Sequence, residues 1–228
     1  MKKIFISILL LSGIAVFLTN CASLTGFQDG RTVGQNNVEL SASVNFSQSP
    51  DFNDWEEEIE NDSTNIPNFF FPNFEFGGRY GITDKVDISL RLNTNLNLGV
   101  GAKVQVLGDQ ESTAALSLGA EVGTFGLLSG LWNVQVPVYF SLHPRENLAW
   151  YLSPRYIYQF SSFAGAENGL NYLGGNTGLL FGNRHKFGFD IGYYNVGADG
   201  NSLGLIQIGI GGRFALGGGG DKSTPKRK

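Results

Sequence analysis

Val86-Asp87-Ile88-Ser89-Leu90-Arg91-Leu92-Asn93 alternates apolar and polar side chains without a break. A period of two places Val86, Ile88, Leu90 and Leu92 on one face of an extended strand and Asp87, Ser89, Arg91 and Asn93 on the other. The run just upstream, Phe74-Glu75-Phe76-Gly77-Gly78-Arg79-Tyr80-Gly81-Ile82, alternates in the same way, and Thr83-Asp84-Lys85 is a turn between the two. Leu96-Asn97-Leu98-Gly99-Val100-Gly101-Ala102-Lys103-Val104-Gln105-Val106 repeats the pattern downstream. Further alternating runs fall at about 112–122, 133–142, 148–160, 185–194 and 203–216, with weaker ones at 37–47 and 171–181. That is ten strands, most of a length that crosses a bilayer when tilted. Misreading either weak run would make the count eight or twelve.

Composition narrows the class. The chain has 228 residues, 42% hydrophobic, with 18 Phe and 8 Tyr, which is too apolar for a disordered chain. The 32 Gly come with only 7 Pro and no triplet period, which excludes collagen. A net charge of -4 argues against nucleic acid as a partner. One Cys and two His leave no disulfide framework and no metal site of the usual Cys/His kind.

Lys2 and Lys3 precede an apolar run, Ile4 to Leu18, in the order of an export signal. The run ends in Leu18-Thr19-Asn20-Cys21, which resembles a bacterial lipobox with Asn20 in place of the usual small residue. The alternative is an ordinary signal peptide with an incidental cysteine. The resemblance implies a lipid on Cys21 and no other cofactor. Removing residues 1–20 takes away two Lys, so 14 basic and 20 acidic residues remain, a net -6. The domain reading is a signal peptide over 1–20, a polar periplasmic linker over 21–36, a β-barrel over 37–216 and a flexible basic tail over 217–228.

The connections alternate in length. Thr83–Lys85, Gly108–Glu111, His143–Asn147 and Gly182–Arg184 are short, whereas 48–68, 123–132, 161–170 and 195–202 are longer. Only the third, around Asn93-Thr94-Asn95, is short out of turn. Short turns on one side and long loops on the other is the outer-membrane pattern, and an even strand count puts both barrel ends on the short-turn, periplasmic side. Aromatics gather at strand ends. Phe69, Phe70, Phe71, Trp132, Tyr156, Tyr158, Phe160, Tyr172, Tyr193 and Tyr194 form an expected outer girdle, and Tyr80, Phe140, Trp150, Phe181, Phe187 and Phe214 an inner one.

The hairpin from Arg79 to Leu90 resembles those of small Gram-negative outer-membrane β-barrel proteins. Gly211-Gly212-Arg213-Phe214-Ala215-Leu216 is similar to the terminal-strand signal of such proteins, although twelve residues follow it. The resemblance implies an all-β, ten-stranded, antiparallel, up-and-down transmembrane barrel in the outer membrane, inserted by the barrel-assembly machinery and in contact with outer-membrane lipids and lipopolysaccharide.

With the apolar set facing lipid, Glu75, Arg79, Asp87, Arg91, Lys103, Glu121, Arg155, Asp190 and Arg213 face the lumen. Ten strands enclose a narrow interior, so mixed charges there are expected to pair into a polar plug. The same charges in an open lumen would set the selectivity of a narrow pore. Alternation is symmetric under exchange of faces. A lipid-anchored soluble barrel, with its apolar set lining a ligand pocket, is therefore the alternative fold reading. No catalytic set is expected: His143 and His185 both read as exposed residues of periplasmic turns. The loop 48–68 carries Asp51, Asp54, Glu56, Glu57, Glu58, Glu60 and Asp62 without Lys or Arg, and reads as a solvated acidic loop. Its functional alternative is a surface contact through Phe52 and Trp55, or divalent bridging to lipopolysaccharide phosphates.

Overall fold

A computed structural model describes residues 24–48, 70–94, 96–125, 130–162, 169–198 and 201–216. They form ten strands: β1 (Val38–Gln48), β2 (Phe70–Thr83), β3 (Val86–Asn93), β4 (Leu98–Leu107), β5 (Ala114–Phe125), β6 (Leu131–Arg145), β7 (Leu148–Ser161), β8 (Leu170–Phe181), β9 (His185–Ala198) and β10 (Asn201–Leu216). Each pairs antiparallel with its neighbours in sequence, and β1 pairs with β10 to close the sheet. The fold is an up-and-down barrel with no open edge to expose unpaired backbone.

The faces sort by polarity. Outward Leu90 is 53% exposed, Val100 58% and Ile210 62%, whereas inward Asp87 is 1% exposed and Arg91 8%. This inverts a water-soluble barrel, where the apolar face would be the hidden one. The alternative of a soluble barrel with an apolar pocket is therefore corrected: the lumen is lined by polar side chains and the apolar belt faces out. The chain is a closed ten-stranded β-barrel with an apolar exterior and a polar interior.

The inner wall alternates large and small across strands. Arg91 of β3 lies between Gly77 of β2 and Gly99 of β4, and Glu121 of β5 lies opposite Gly101 of β4. Long charged side chains can share a narrow interior because their neighbours on the wall lack one, which gives Gly77, Gly99 and Gly101 their place.

Trp132, Tyr156, Tyr158 and Tyr193 face outward towards the loop-side ends of their strands, and Tyr80, Phe181 and Phe187 towards the other rim. Phe187 packs edge-on against Phe214 at 5.5 Å, and Phe140 against Trp150 at 6.0 Å. Two expected girdle residues are corrected: Tyr172 and Tyr194 point into the barrel and are 2% and 0% exposed. The reason is parity. Adjacent residues of a strand face opposite ways, so Tyr193 and Tyr194 cannot both reach lipid. Phe69, and the side chains of Phe70 and Phe71, lie outside the described set.

The ninth connection is also corrected. β9 runs on to Ala198, with Gly197 opposite Asn171 and Ser202 opposite Gly197 in its two ladders, so the link to β10 is only residues 199–200. Long connections on that side remain between β1 and β2 and between β7 and β8. Cys21, the acidic residues Asp51–Asp62 and the tail 217–228 lie outside the described residues. Residues 24–36, expected as part of a periplasmic linker, instead begin inside the lumen: Leu24, Thr25, Phe27, Asp29 and Thr32 are buried there.

Candidate functional site

All nine lumen charges named from the alternation are less than a tenth exposed. Arg91 stands between Glu75, at 3.5 Å, and Glu121, which accepts a hydrogen bond from its guanidinium. Asp87 lies 3.6 Å from Lys103 and 3.9 Å from Arg79. Arg79 also pairs with Glu39 of β1. Glu39 takes a forked pair of bonds from Arg213, Nε to Oε1 at 2.7 Å and Nη2 to Oε2 at 2.9 Å. Arg213 in turn lies 2.9 Å from Asp29, and Asp29 lies 3.3 Å from Lys186. The result is an unbroken line of alternating sign: Lys186, Asp29, Arg213, Glu39, Arg79, Asp87, Lys103. Each buried charge in that line has an opposite neighbour, as burial away from water requires.

Arg155 and Asp190 have a different role. Arg155 donates to the backbone carbonyl of Thr25 at 2.8 Å, and Asp190 accepts from the backbone N–H of Gly26 at 2.9 Å. Lys103 likewise donates to the carbonyls of Asp29, at 3.3 Å, and Arg31, at 2.7 Å, with its ammonium 5.4 Å from the Tyr139 ring centre. These wall charges serve a guest segment. Residues 24–33 form no strand, so their buried backbone groups must find partners elsewhere.

The route of that segment follows from its partners. Leu24 packs with Ile157, Tyr172, Tyr194 and Leu205, all near the loop-side ends of their strands, and its carbonyl lies 3.3 Å from the Tyr194 hydroxyl, which donates to the Asn176 side-chain oxygen. The Thr25 hydroxyl donates to Glu75. Phe27 packs with Ala149, Tyr151 and Leu180, nearer the other rim. Gly30 donates its N–H to the Ser141 hydroxyl at 2.9 Å, and its carbonyl accepts from Ser117. A Cβ at Gly30 would lie 2.3 Å from the Ala115 carbonyl oxygen, so only glycine fits so close to the wall. The backbone N–H of Thr32 donates to Gln105 at 3.1 Å and that of Val33 to Asp87 at 3.1 Å. Asn36 then donates to the Gly81 carbonyl at 2.8 Å at the short-turn rim, where β1 begins. The segment therefore runs the length of the lumen, from the loop side down to the turn side.

At the turn-side mouth a cavity of about 320 Å³ remains, bordered by Arg31, Glu39, Arg184, Lys186 and Arg213. The Arg31 guanidinium closes one side by donating to the Ser112 carbonyl in the turn between β4 and β5. In that turn, hydrogen bonds from Ser112 and from the Glu111 backbone hold Asp109 below the usual carboxylate range.

His143 is corrected from an exposed turn residue. It belongs to β6, is 5% exposed, and its Nε2 lies 2.9 Å from the Ser141 hydroxyl that caps Gly30. β6 is longer than its alternating core because pairing continues through Arg145, opposite Leu148. His185 opens β9, exposed, with its ring 6.0 Å from that of Phe214. Among the described residues, no group of three or more His, Cys, Asp or Glu is arranged to hold a metal ion. Three members of the charge line were missing from the sequence reading: Asp29, Glu39 and Lys186. Glu39 and Lys186 occupy inward positions of recognised strands, and Phe27 was the available signal that the residues around Asp29 are buried.

No protein-family model and no curated protein matches the sequence. Among solved structures, the chain is similar to an outer-membrane channel from Pseudomonas putida F1. Identity is 9% and the TM-score 0.45, over 84% of this chain and 100% of that one. It is also similar to the outer membrane protein OprG from Pseudomonas aeruginosa, at 12% identity and TM-score 0.36, over 83% of this chain and 100% of that one. A third is Ail, the attachment invasion locus protein of Yersinia pestis, at 14% identity and TM-score 0.29, over 79% and 99%.

Proposed function

We propose that this protein is a closed, lipid-anchored barrel of the outer membrane with a structural or surface-interaction role, and that it is neither a solute channel nor an enzyme. The observation that carries this reading is the filled lumen. Residues 24–33 occupy it from end to end, held by Glu75, Asp87, Lys103, Arg155 and Asp190 of the wall. A permeating solute would have to displace both the segment and the paired charges around it. The partners in this reading are outer-membrane lipids, lipopolysaccharide and the barrel-assembly machinery, and the attached group is a lipid on Cys21.

A narrow pore is the second reading, favoured by the basic cavity at the turn-side mouth. Single-channel recording in a planar bilayer separates the two. Folded full-length protein, verified by a heat-dependent shift on an SDS gel, is expected to give no conductance steps. Regular steps from that preparation would overturn the closed-barrel reading.

A further inference from the structure

We infer that the chain passes through its own barrel, so that everything N-terminal to Leu24 emerges at the loop-side mouth, on the outer face of the membrane. The inference rests on the orientation in the reading above, with long loops outside and short turns in the periplasm. It departs from the expectation that both termini are periplasmic.

The argument uses levels along the barrel axis. At the bottom, Asn36 is bonded to Gly81, Gln35 to Asp84 and Thr32 to the Asp84 carbonyl, all beside the turn between β2 and β3. At the top, Leu24 touches Ile157 and Tyr194. Ile157 lies between Tyr156 and Tyr158, and Tyr194 follows Tyr193; these three tyrosines face outward and are between 38% and 57% exposed. Leu24 is thus level with the outer aromatic belt, which marks the interface between lipid and water. Between these ends, the partners of Thr25, Gly26, Asp29 and Thr32 descend in order, so the path does not double back.

Three more residues of extended chain reach about 10 Å. That is enough to bring Cys21 from the level of the outer belt up to the rim, where β7 and β9 end four residues beyond Ile157 and Tyr194, while a return to the periplasm would need a second passage through a lumen already occupied. The lipid proposed on Cys21 therefore anchors the protein from the outer leaflet. The barrel acts as a conduit that presents its own N-terminal end at the cell surface.

The test uses full-length protein in its membrane and a maleimide too large and polar to cross it. Ser23→Cys reports on the N-terminal end, and Glu111→Cys, in the exposed turn between β4 and β5, reports on the periplasmic side. The expected result is labelling of Ser23→Cys on intact cells and of Glu111→Cys only after permeabilisation. Labelling of both only after permeabilisation overturns the inference. Labelling of Glu111→Cys on intact cells overturns the orientation on which it rests. The unsubstituted protein separates the anchor from the route: a thiol labelled on intact cells means Cys21 is free, which removes the lipid and upholds the outward exit. An epitope inserted after Ala22, detected by antibody on intact cells, is the second measurement; absence of binding there alongside detection in lysed cells also overturns the inference.

Discussion

Asp29→Asn should unseat the lumen segment while leaving the barrel intact. The carboxylate is fully buried, 2.9 Å from Arg213 and 3.3 Å from Lys186. Asparagine keeps the size and removes the charge. Losing one partner of a buried ion pair costs about 3–5 kcal/mol. Here the cost is smaller, because Arg213 keeps its forked bond to Glu39 and the Lys186 side chain is 16% exposed to the mouth cavity. A figure of about 2–3 kcal/mol remains, a factor of about 30–150 in the equilibrium between seated and unseated segment. Trypsin reads that equilibrium directly. Cleavage after Arg31 requires the segment to leave its place, and the nicking rate follows the open population when reclosing is fast. The variant, folded in detergent micelles, should be nicked there faster by that factor and keep its heat-dependent gel shift. Equal nicking rates in the two proteins would refute Asp29 as the clamp that holds the segment.

Other changes follow from the same geometry. Gly30→Leu places side-chain atoms where the Ala115 carbonyl stands, and should keep the segment from seating as the barrel forms; bilayer recording should then show steps absent from the parent. Arg91→Gln removes the guanidinium that Glu75 and Glu121 share, at a cost of about 3–5 kcal/mol, and should lower the temperature of the gel shift. Adding Glu121→Gln should recover part of that loss. Leu90→Lys puts a charge on the lipid face and should cost about 2–4 kcal/mol if near the bilayer midplane, measured as reduced folding into vesicles. Tyr194→Phe, which loses the hydroxyl bonded to Asn176 and in contact with the Leu24 carbonyl, should speed nicking of the segment, and Tyr193→Phe, on the outer face, should not.

Ten strands and their antiparallel order could be read from the sequence because each strand reports its own faces by a period of two. In β3 that period separates Leu90 from Arg91 with no intervening ambiguity. Errors arose where residue type was weighed without parity, as at Tyr172 and Tyr194, which are aromatic and near strand ends but on inward positions. The ninth connection was misread because Asn195, Gly197 and Ser202 look like turn residues, whereas in β9 and β10 they are paired in the ladder. The partners of residues 24–33 were illegible for a deeper reason, although Phe27 hinted at burial. The order of that segment comes from hydrogen bonds to distant wall residues, such as Gly26 to Asp190, and a segment without a period carries no local trace of such partners.

The seam between β1 and β10 bears on how the molecule is made. It joins Val38 to Leu216, residues 178 apart in the chain (216 − 38), and is the longest-range pairing in the sheet. Contacts so distant in sequence form late, after local hairpins. The guest segment lies immediately before β1 and is gripped by walls from β2 to β10. With the lipid proposed on Cys21, that end could not be drawn through a finished, filled cylinder. On that proposal, assembly wraps the sheet around residues 24–33, and the zipping of the final seam is the step that locks the segment in place.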